Sequence, residues 1–142
     1  MTNTLRISCR LENLKTIRQF VHDALSAYGI DQKCINHLVL CVDEISANSI
    51  IHSCRQDESL MLEININYHK EQETIAVDII DPGQSINFSL PALPTIQDII
   101  KNKKKGGMGL MLVMKMIDKI EYKSTQEPHR NICTLYKKIK TA

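Results

Sequence analysis

The sequence has no tryptophan, and aromatic residues make up only 4% of it. Proteins that bind single-stranded nucleic acid stack the bases on aromatic side chains, so this scarcity argues against such a surface. An excess of one charge is also lacking, because 18 Lys and Arg residues face 16 Asp and Glu residues, for a net charge of +2. Non-specific binding to a nucleic-acid backbone requires a strongly basic surface. We therefore expect no nucleic-acid partner.

Long hydrophobic runs are absent as well. No wholly apolar run exceeds five residues, as in Leu38–Val42, whereas a helix needs about 20 residues to span a bilayer. The N-terminus, from residue 1 to residue 6, has no apolar stretch behind a basic start, so we expect no signal peptide there. The five cysteines are an odd set without a CxxC pair, which favours reduced, mostly buried thiols over a disulfide framework or a zinc site. These features predict a cytoplasmic protein with no membrane partner.

The length of 142 residues, 43% of them hydrophobic, predicts one domain over residues 1–142. Apolar stripes predict helices over residues 14–28 and 31–54, begun by the N-caps Asn13 and Asp31, and a third helix after Gly106. Period-two alternation predicts strands at residues 4–11, 60–68, 75–79, 120–124 and 131–138. This order predicts an α/β (α+β) two-layer sandwich, in which three helices cover one face of a mixed, mostly antiparallel sheet.

The second predicted helix carries polar residues on an otherwise apolar background. Glu44, Asn48 and His52 are spaced four residues apart and share one helix face. This face could meet solvent or belong to a satisfied hydrogen-bond network. Alternatively, it could form the floor of a cleft, with Glu44 as a base and Asn48 as an oxygen ligand for Mg²⁺.

Two further segments admit more than one interpretation. Asp81-Pro82-Gly83 could be only a turn, or Asp81 could accept hydrogen bonds from a ligand while Gly83 allows its close approach. The glycines of Gly106-Gly107-Met108-Gly109 could bind phosphate at a helix N-terminus or form a hinge. Between these segments lies a stretch of about 20 residues without clear periodicity, and an irregular segment this long usually means a lid, a binding loop or disorder.

In this order and spacing, Glu44-x-x-x-Asn48-x-x-x-His52, Asp81-x-Gly83 and Gly107-x-Gly109 resemble the three nucleotide-binding boxes of the GHKL ATPase superfamily. Residues 42–52, the segment 106–118 and the tail through Leu135 are similar to the anti-sigma factor serine/threonine kinases. The resemblance covers nearly the whole chain. Ser85 stands where many GHKL proteins have a second glycine, and the lid offers Lys103, Lys104 and Lys105 but no arginine.

The resemblance implies a Bergerat ATP-binding fold with ATP and Mg²⁺ as cofactors. It implies that Glu44 is the general base and that Asn48 holds Mg²⁺. Asp81 would accept from the adenine amino group, and Gly83 would line the base pocket. The implied phosphate-binding segment is Gly106, Gly107, Met108, Gly109 and Leu110, beneath a lid over about residues 84–105.

The function that the resemblance implies is phosphorylation, by ATP, of a serine on an anti-anti-sigma-like protein. The same protein would act as an anti-sigma factor, holding a regulatory partner such as an alternative sigma factor, and would be a homodimer. Two alternatives remain open from the sequence. The first is a nucleotide-gated protein-binding module without phosphotransfer, and the second is a structural relative that binds no ATP.

Overall fold

The computed structural model of the protein describes residues 2–83 and 115–139. The predicted lid, the glycine segment 106–110 and most of the predicted third helix lie outside the described residues. The strands are β1 (Thr2–Ser8), β2 (Met61–His69), β3 (Thr74–Asp81), β4 (Lys119–Thr125) and β5 (Arg130–Lys138). The helices are α1 (Leu14–Ala27), preceded by a 3₁₀ turn at Leu11–Asn13, and α2 (Gln32–Asn48), which continues as a π-helical turn over Ser49–Ser53.

The five strands form one sheet in the order β1-β2-β3-β5-β4. Each pair of neighbours is antiparallel. The predicted two-layer α+β sandwich is therefore confirmed, and the mixed character that we expected of the sheet has no counterpart among the described strands. Since α1 contacts β1 and β2 while α2 contacts α1 and β3, both helices lie on one face of the sheet.

Helix α1 packs through the apolar stripe that its sequence predicts. Ile17, Val21 and Leu25 are fully buried in the core. The helix ends at Gly29, whose φ of +75° is a conformation that glycine adopts at no steric cost. Asn13 occupies the N-cap position, but the predicted side-chain cap is wrong, because its amide instead donates to the carbonyl oxygen of Ser8 over 2.9 Å.

Alternation along β3 decides where the strand's last residue lies. Ile75, Val77 and Ile79 face the core, and each is 1% exposed or less. Asp81 continues this row by two residues and is itself 1% exposed. The strand therefore places a carboxylate on the helix-covered side of the sheet, at the end of an apolar row.

Helix Gln32–Ser53 is long and apolar enough to cross a membrane by length and composition, with a mean hydropathy of 1.2. One such helix is weak evidence, since the core helix of a soluble protein passes the same test. Here Ile35, Leu38 and Val42 are buried in the hydrophobic core that the helices share with the sheet. This helix does not indicate a membrane protein.

Candidate functional site

Asp81 is the centre of a buried polar cluster at the end of β3. Its Oδ1 accepts hydrogen bonds from the hydroxyl of Ser53 at 2.5 Å, the amide of Asn131 at 2.9 Å and the backbone N–H of Gly83 at 2.9 Å. A carboxylate is costly to bury unless it is hydrogen-bonded, and these donors offset that cost. All three bonds end on Oδ1, which fixes the orientation of the carboxylate. Within residues 2–83 and 115–139, no hydrogen bond to Oδ2 is found.

Asn131 connects this cluster to the neighbouring strands. Strand register pairs it with Asp81 on one side and with Ser124 on the other. Its amide nitrogen also contacts the hydroxyl of Ser53 at 3.0 Å and the carbonyl oxygen of Gly83 at 3.3 Å. The Ser124 hydroxyl donates to its oxygen at 3.0 Å. A row of polar side chains therefore crosses β3, β5 and β4 and holds Asp81 in place.

Ser53 reaches Asp81 because α2 does not end as a regular helix. Over Ser49–Ser53 the chain forms a π-helical turn, closed by a hydrogen bond from the N–H of Cys54 to the carbonyl oxygen of Ser49 at 2.8 Å. The hydrogen bonds of a π turn join residues five apart instead of four. Within this turn Ser53 is buried, while His52 is exposed. The predicted cleft floor of Glu44, Asn48 and His52 stays a prediction.

Gly83 packs directly against this turn. A Cβ atom built at Gly83 would lie 2.4 Å from both the carbonyl oxygen and the hydroxyl of Ser53. Contacts this short do not occur, so any larger residue would force the π turn and the chain after β3 apart. The close approach seen at Gly83 is that of the protein's own Ser53, and the predicted approach of a ligand stays a prediction.

Glu44 and Asn48 lie one turn apart on α2, and both are half-buried. Burial raises the pKa of the Glu44 carboxyl above its ordinary value, and the neighbouring charge of Asp43 raises it further. A carboxylate with a raised pKa binds a proton more tightly than usual, so it is a better base toward a hydroxyl group. The π turn that follows Asn48 ends at Ser53, which donates to Asp81.

A cavity of about 580 Å³ opens beside the cluster. Gly83 and Ser53 connect it to Asp81, and Arg55 brings a positive charge to its wall. Its lining residues are Ser53, Cys54, Arg55, Asp57, Leu60, Pro82, Gly83 and His129. Among the described residues, no cluster of three or more His, Cys, Asp or Glu side chains could hold a metal ion.

Comparison with known proteins identifies the family. The family model described as the histidine kinase-like ATPase domain matches residues 7–137. The chain belongs to this family. No curated protein matches the chain. Membership in the histidine kinase-like ATPase family implies that the domain binds a nucleotide, and the resemblance of the sequence to GHKL ATPases is thereby confirmed.

Two solved structures resemble this histidine kinase-like domain in fold. One is of the RsbU and RsbW domains of Rv1364c from Mycobacterium tuberculosis, with a TM-score of 0.67 and 14% identity; the match covers 98% of this chain and 32% of that one. The other is of the SiaB–SiaC complex from Pseudomonas aeruginosa, with a TM-score of 0.67 and 11% identity, covering 95% and 88% of the two chains. The chain thus spans about a third of the length of the first. At these identities the likeness establishes the fold.

The structure brings together part of what the sequence predicts for this histidine kinase-like ATPase domain. Asp81 and Gly83 meet at one point, and Glu44 and Asn48 lie on the helix that leads to it. The phosphate-binding segment, Gly106, Gly107, Met108, Gly109 and Leu110, lies outside the described residues. Sequence reasoning missed the role of Ser53, and it placed Asn131 in a family-like tail without recognising it as a partner of Asp81.

Proposed function

We propose that this protein is an ATP-dependent serine/threonine protein kinase that phosphorylates an anti-anti-sigma-like protein and, as an anti-sigma factor, sequesters a regulatory partner. The observation that carries the proposal is the buried carboxylate of Asp81. Three donors fix it through Oδ1, and Oδ2 can accept the hydrogen bond that an adenine amino group donates. A hydrogen-bond acceptor that is buried and held in one orientation recognises the edge of an adenine ring best.

Glu44 and Asn48 would supply the chemistry. Transfer of a phosphoryl group depends on positioning and on neutralising charge more than on covalent help. Mg²⁺ keeps several waters and is commonly held by one or two protein oxygens together with substrate phosphates, a pattern that the amide oxygen of Asn48 fits. When bound, the ion would neutralise charge on the phosphates. Glu44, with its pKa raised by burial, would take the proton from the attacking serine hydroxyl.

The remaining parts of the proposal rest on the sequence. Gly106, Gly107, Met108, Gly109 and Leu110 would bind the ATP phosphates beneath the lid over about residues 84–105. All of residues 1–142 would form one domain, acting as a cytoplasmic bacterial homodimer that regulates transcription. One of the similar structures is of a complex of two proteins, SiaB and SiaC, which supports a protein as the partner. An alternative sigma factor is the proposed sequestered protein.

The decisive experiment incubates the protein with Mg²⁺ and ATP labelled at the γ-phosphate, in a lysate of the source cell. A small protein that becomes labelled only with the wild-type enzyme is the expected result, and mass spectrometry of that band identifies the substrate and the modified residue. The matched control is Glu44→Gln, which keeps the size and hydrogen-bonding shape of the side chain but cannot accept the proton.

Glu44→Gln is a sharp control because it should not unfold the protein. A folded-state pKa raised above its unfolded value means that ionised Glu44 reduces stability at neutral pH, so removing the charge leaves the melting temperature equal or higher. Phosphotransfer should fall by at least about 100-fold, with ATP affinity retained. Labelling at the wild-type rate by this variant would exclude Glu44 as the base. ATP binding without any Glu44-dependent label would favour the nucleotide-gated binding module.

A further inference from the structure

Two of the five free cysteines lie against each other next to the candidate site. Cys9 follows β1, and Cys54 is the first residue after the π turn. Their sulfur atoms are 3.0 Å apart, and the two residues are 0% and 2% exposed. Backbone hydrogen bonds fix both positions, from the N–H of Cys9 to Leu60 and from the N–H of Cys54 to Ser49. Two thiols held in contact in this way are positioned to form a disulfide bond.

We propose that Cys9 and Cys54 form a reversible disulfide when the protein meets a peroxide, and that this bond weakens nucleotide binding at Asp81. The second part rests on the proposed function, whereas the first does not. Cys41 and Cys133 are also buried, but neither has a second sulfur in hydrogen-bonding contact among the residues that the structure describes. The pair is therefore the selective site of oxidation among the buried cysteines.

The reaction consumes one peroxide per pair. The thiolate of Cys9 attacks one peroxide oxygen, the O–O bond breaks, and the departing oxygen takes up a proton, leaving a sulfenic acid. The sulfur of Cys54 then attacks the sulfur of Cys9, the S–O bond breaks, and the hydroxide leaves as water with the proton of Cys54. Two thiols lose two electrons and two protons, and the peroxide is reduced to two waters.

The chemistry of the thiols agrees with this order. The hydrogen bond between them lowers the pKa of Cys9 and raises that of Cys54, so Cys9 is the one available as thiolate. By contrast, burial raises the pKa of Cys41 to about 11 and that of Cys133 to about 12. The cavity beside Gly83 is lined by Cys54, so a small peroxide in it would lie next to Cys54, whose sulfur is 3.0 Å from that of Cys9.

The effect of the disulfide would reach Asp81 through the peptide unit that joins Cys54 to Ser53. Cys54 directly follows Ser53, whose hydroxyl donates to Asp81 over 2.5 Å. Bonding requires the sulfurs to come closer than 3.0 Å, which pulls the end of the π turn toward β1. Since Gly83 leaves no spare room against Ser53, this movement disturbs the donors that orient Asp81. Loss of one such charge-assisted hydrogen bond should weaken ATP binding about tenfold.

The test oxidises the folded protein with hydrogen peroxide and maps its disulfides after trypsin digestion. We expect residues 7–10, which contain Cys9, to be linked to residues 34–55, with a loss of the mass of two hydrogen atoms that dithiothreitol reverses. Cys54→Ala should abolish the link and Cys41→Ala, in the same peptide, should retain it. Absence of the linked peptide from the folded wild-type protein, or its presence in Cys54→Ala, would overturn the redox site.

Calorimetry with ATP then compares the reduced and oxidised forms of the wild-type protein. About tenfold weaker binding after oxidation, with no change in Cys9→Ala, is the expected result. Equal affinity in both forms would overturn the link to the nucleotide site. If the reduced protein does not bind ATP at all, the proposed function is wrong, and so is the proposed effect of the disulfide on ATP binding. The linked peptide would still support the redox site.

Discussion

Glu44 is half-buried on α2, and its acid–base behaviour can be predicted from what surrounds it. Burial is the main cause of its raised pKa, and the charge of Asp43 adds to it. Because a base must be ionised to accept a proton, phosphotransfer should increase as pH rises through this pKa and decline below it. Asp43→Asn removes the neighbouring charge, so the acid limb of the pH–rate profile should move to lower pH.

This shift is measured from the rate of phosphotransfer at saturating ATP across the acid range. Asp43 pairs with Arg18 at 2.8 Å on the surface of the helices, a contact whose loss should cost little stability because it is exposed. Arg18→Gln breaks the same ion pair but leaves the charge of Asp43, and so it serves as the control. Movement of the limb in the opposite direction for Asp43→Asn would exclude Glu44 as the titrating base.

Asp81 should be the residue on which ATP affinity depends most. Asp81→Asn keeps an oxygen for the donors that now bind Oδ1, so the fold should survive. An NH₂ group then replaces Oδ2 and faces the adenine amino group, donor against donor. We expect ATP affinity to fall about 100-fold, or about 2.7 kcal/mol. Asp78→Asn, on the same strand but bonded to Thr134 at 2.7 Å, should leave affinity unchanged in calorimetry.

At the scale of elements, the regular parts follow from the sequence and the irregular part does not. The five predicted strands, the α1 stripe and the glycine that follows α1 are all found, although β1 lies at Thr2–Ser8 and not at residues 4–11. The π turn was not predicted. An apolar pattern indicates a helix, but it does not distinguish the hydrogen bonds of an α-helix from those of a π-helix. The contact between Ser53 and Asp81, which this turn makes possible, was therefore not predicted.

The π turn also explains why Gly83 should be sensitive to substitution. Gly83→Ala sets a Cβ atom 2.4 Å from the backbone oxygen of Ser53, so stability should fall by about 1–3 kcal/mol and ATP binding should weaken. Gly29→Ala meets no atom within 4 Å, but its φ of +75° is strained for alanine, which costs about 1–2 kcal/mol. Denaturant melts should show both losses, while calorimetry should show weaker ATP binding for Gly83→Ala alone.

In the whole molecule, the cluster exists only because distant segments meet. The hairpin of β2 and β3 is local and is predicted from its turn, but the pairing of β3 with β5 joins Asp81 to Asn131 across 50 residues. No short pattern specifies which strand lies beside which, since that choice depends on packing of the entire sheet against α1 and α2. Asn131 could therefore be recognised as a partner of Asp81 only after the fold was known.

The same assembly predicts how a nucleotide should act on global stability. ATP that binds only the folded protein stabilises it by about 2.7 kcal/mol when present at 100 times its Kd, which raises the melting temperature by roughly 10 °C for a domain of this size. If Mg²⁺ is held jointly by Asn48 and the phosphates, Asn48→Ala should reduce the shift seen with Mg²⁺ and ATP but not the shift seen with ATP and a chelator. Asp81→Asn should reduce both. Thermal melts of the three proteins distinguish the two roles, and equal shifts for Asn48→Ala and the wild-type protein with Mg²⁺ would remove Asn48 from the metal site.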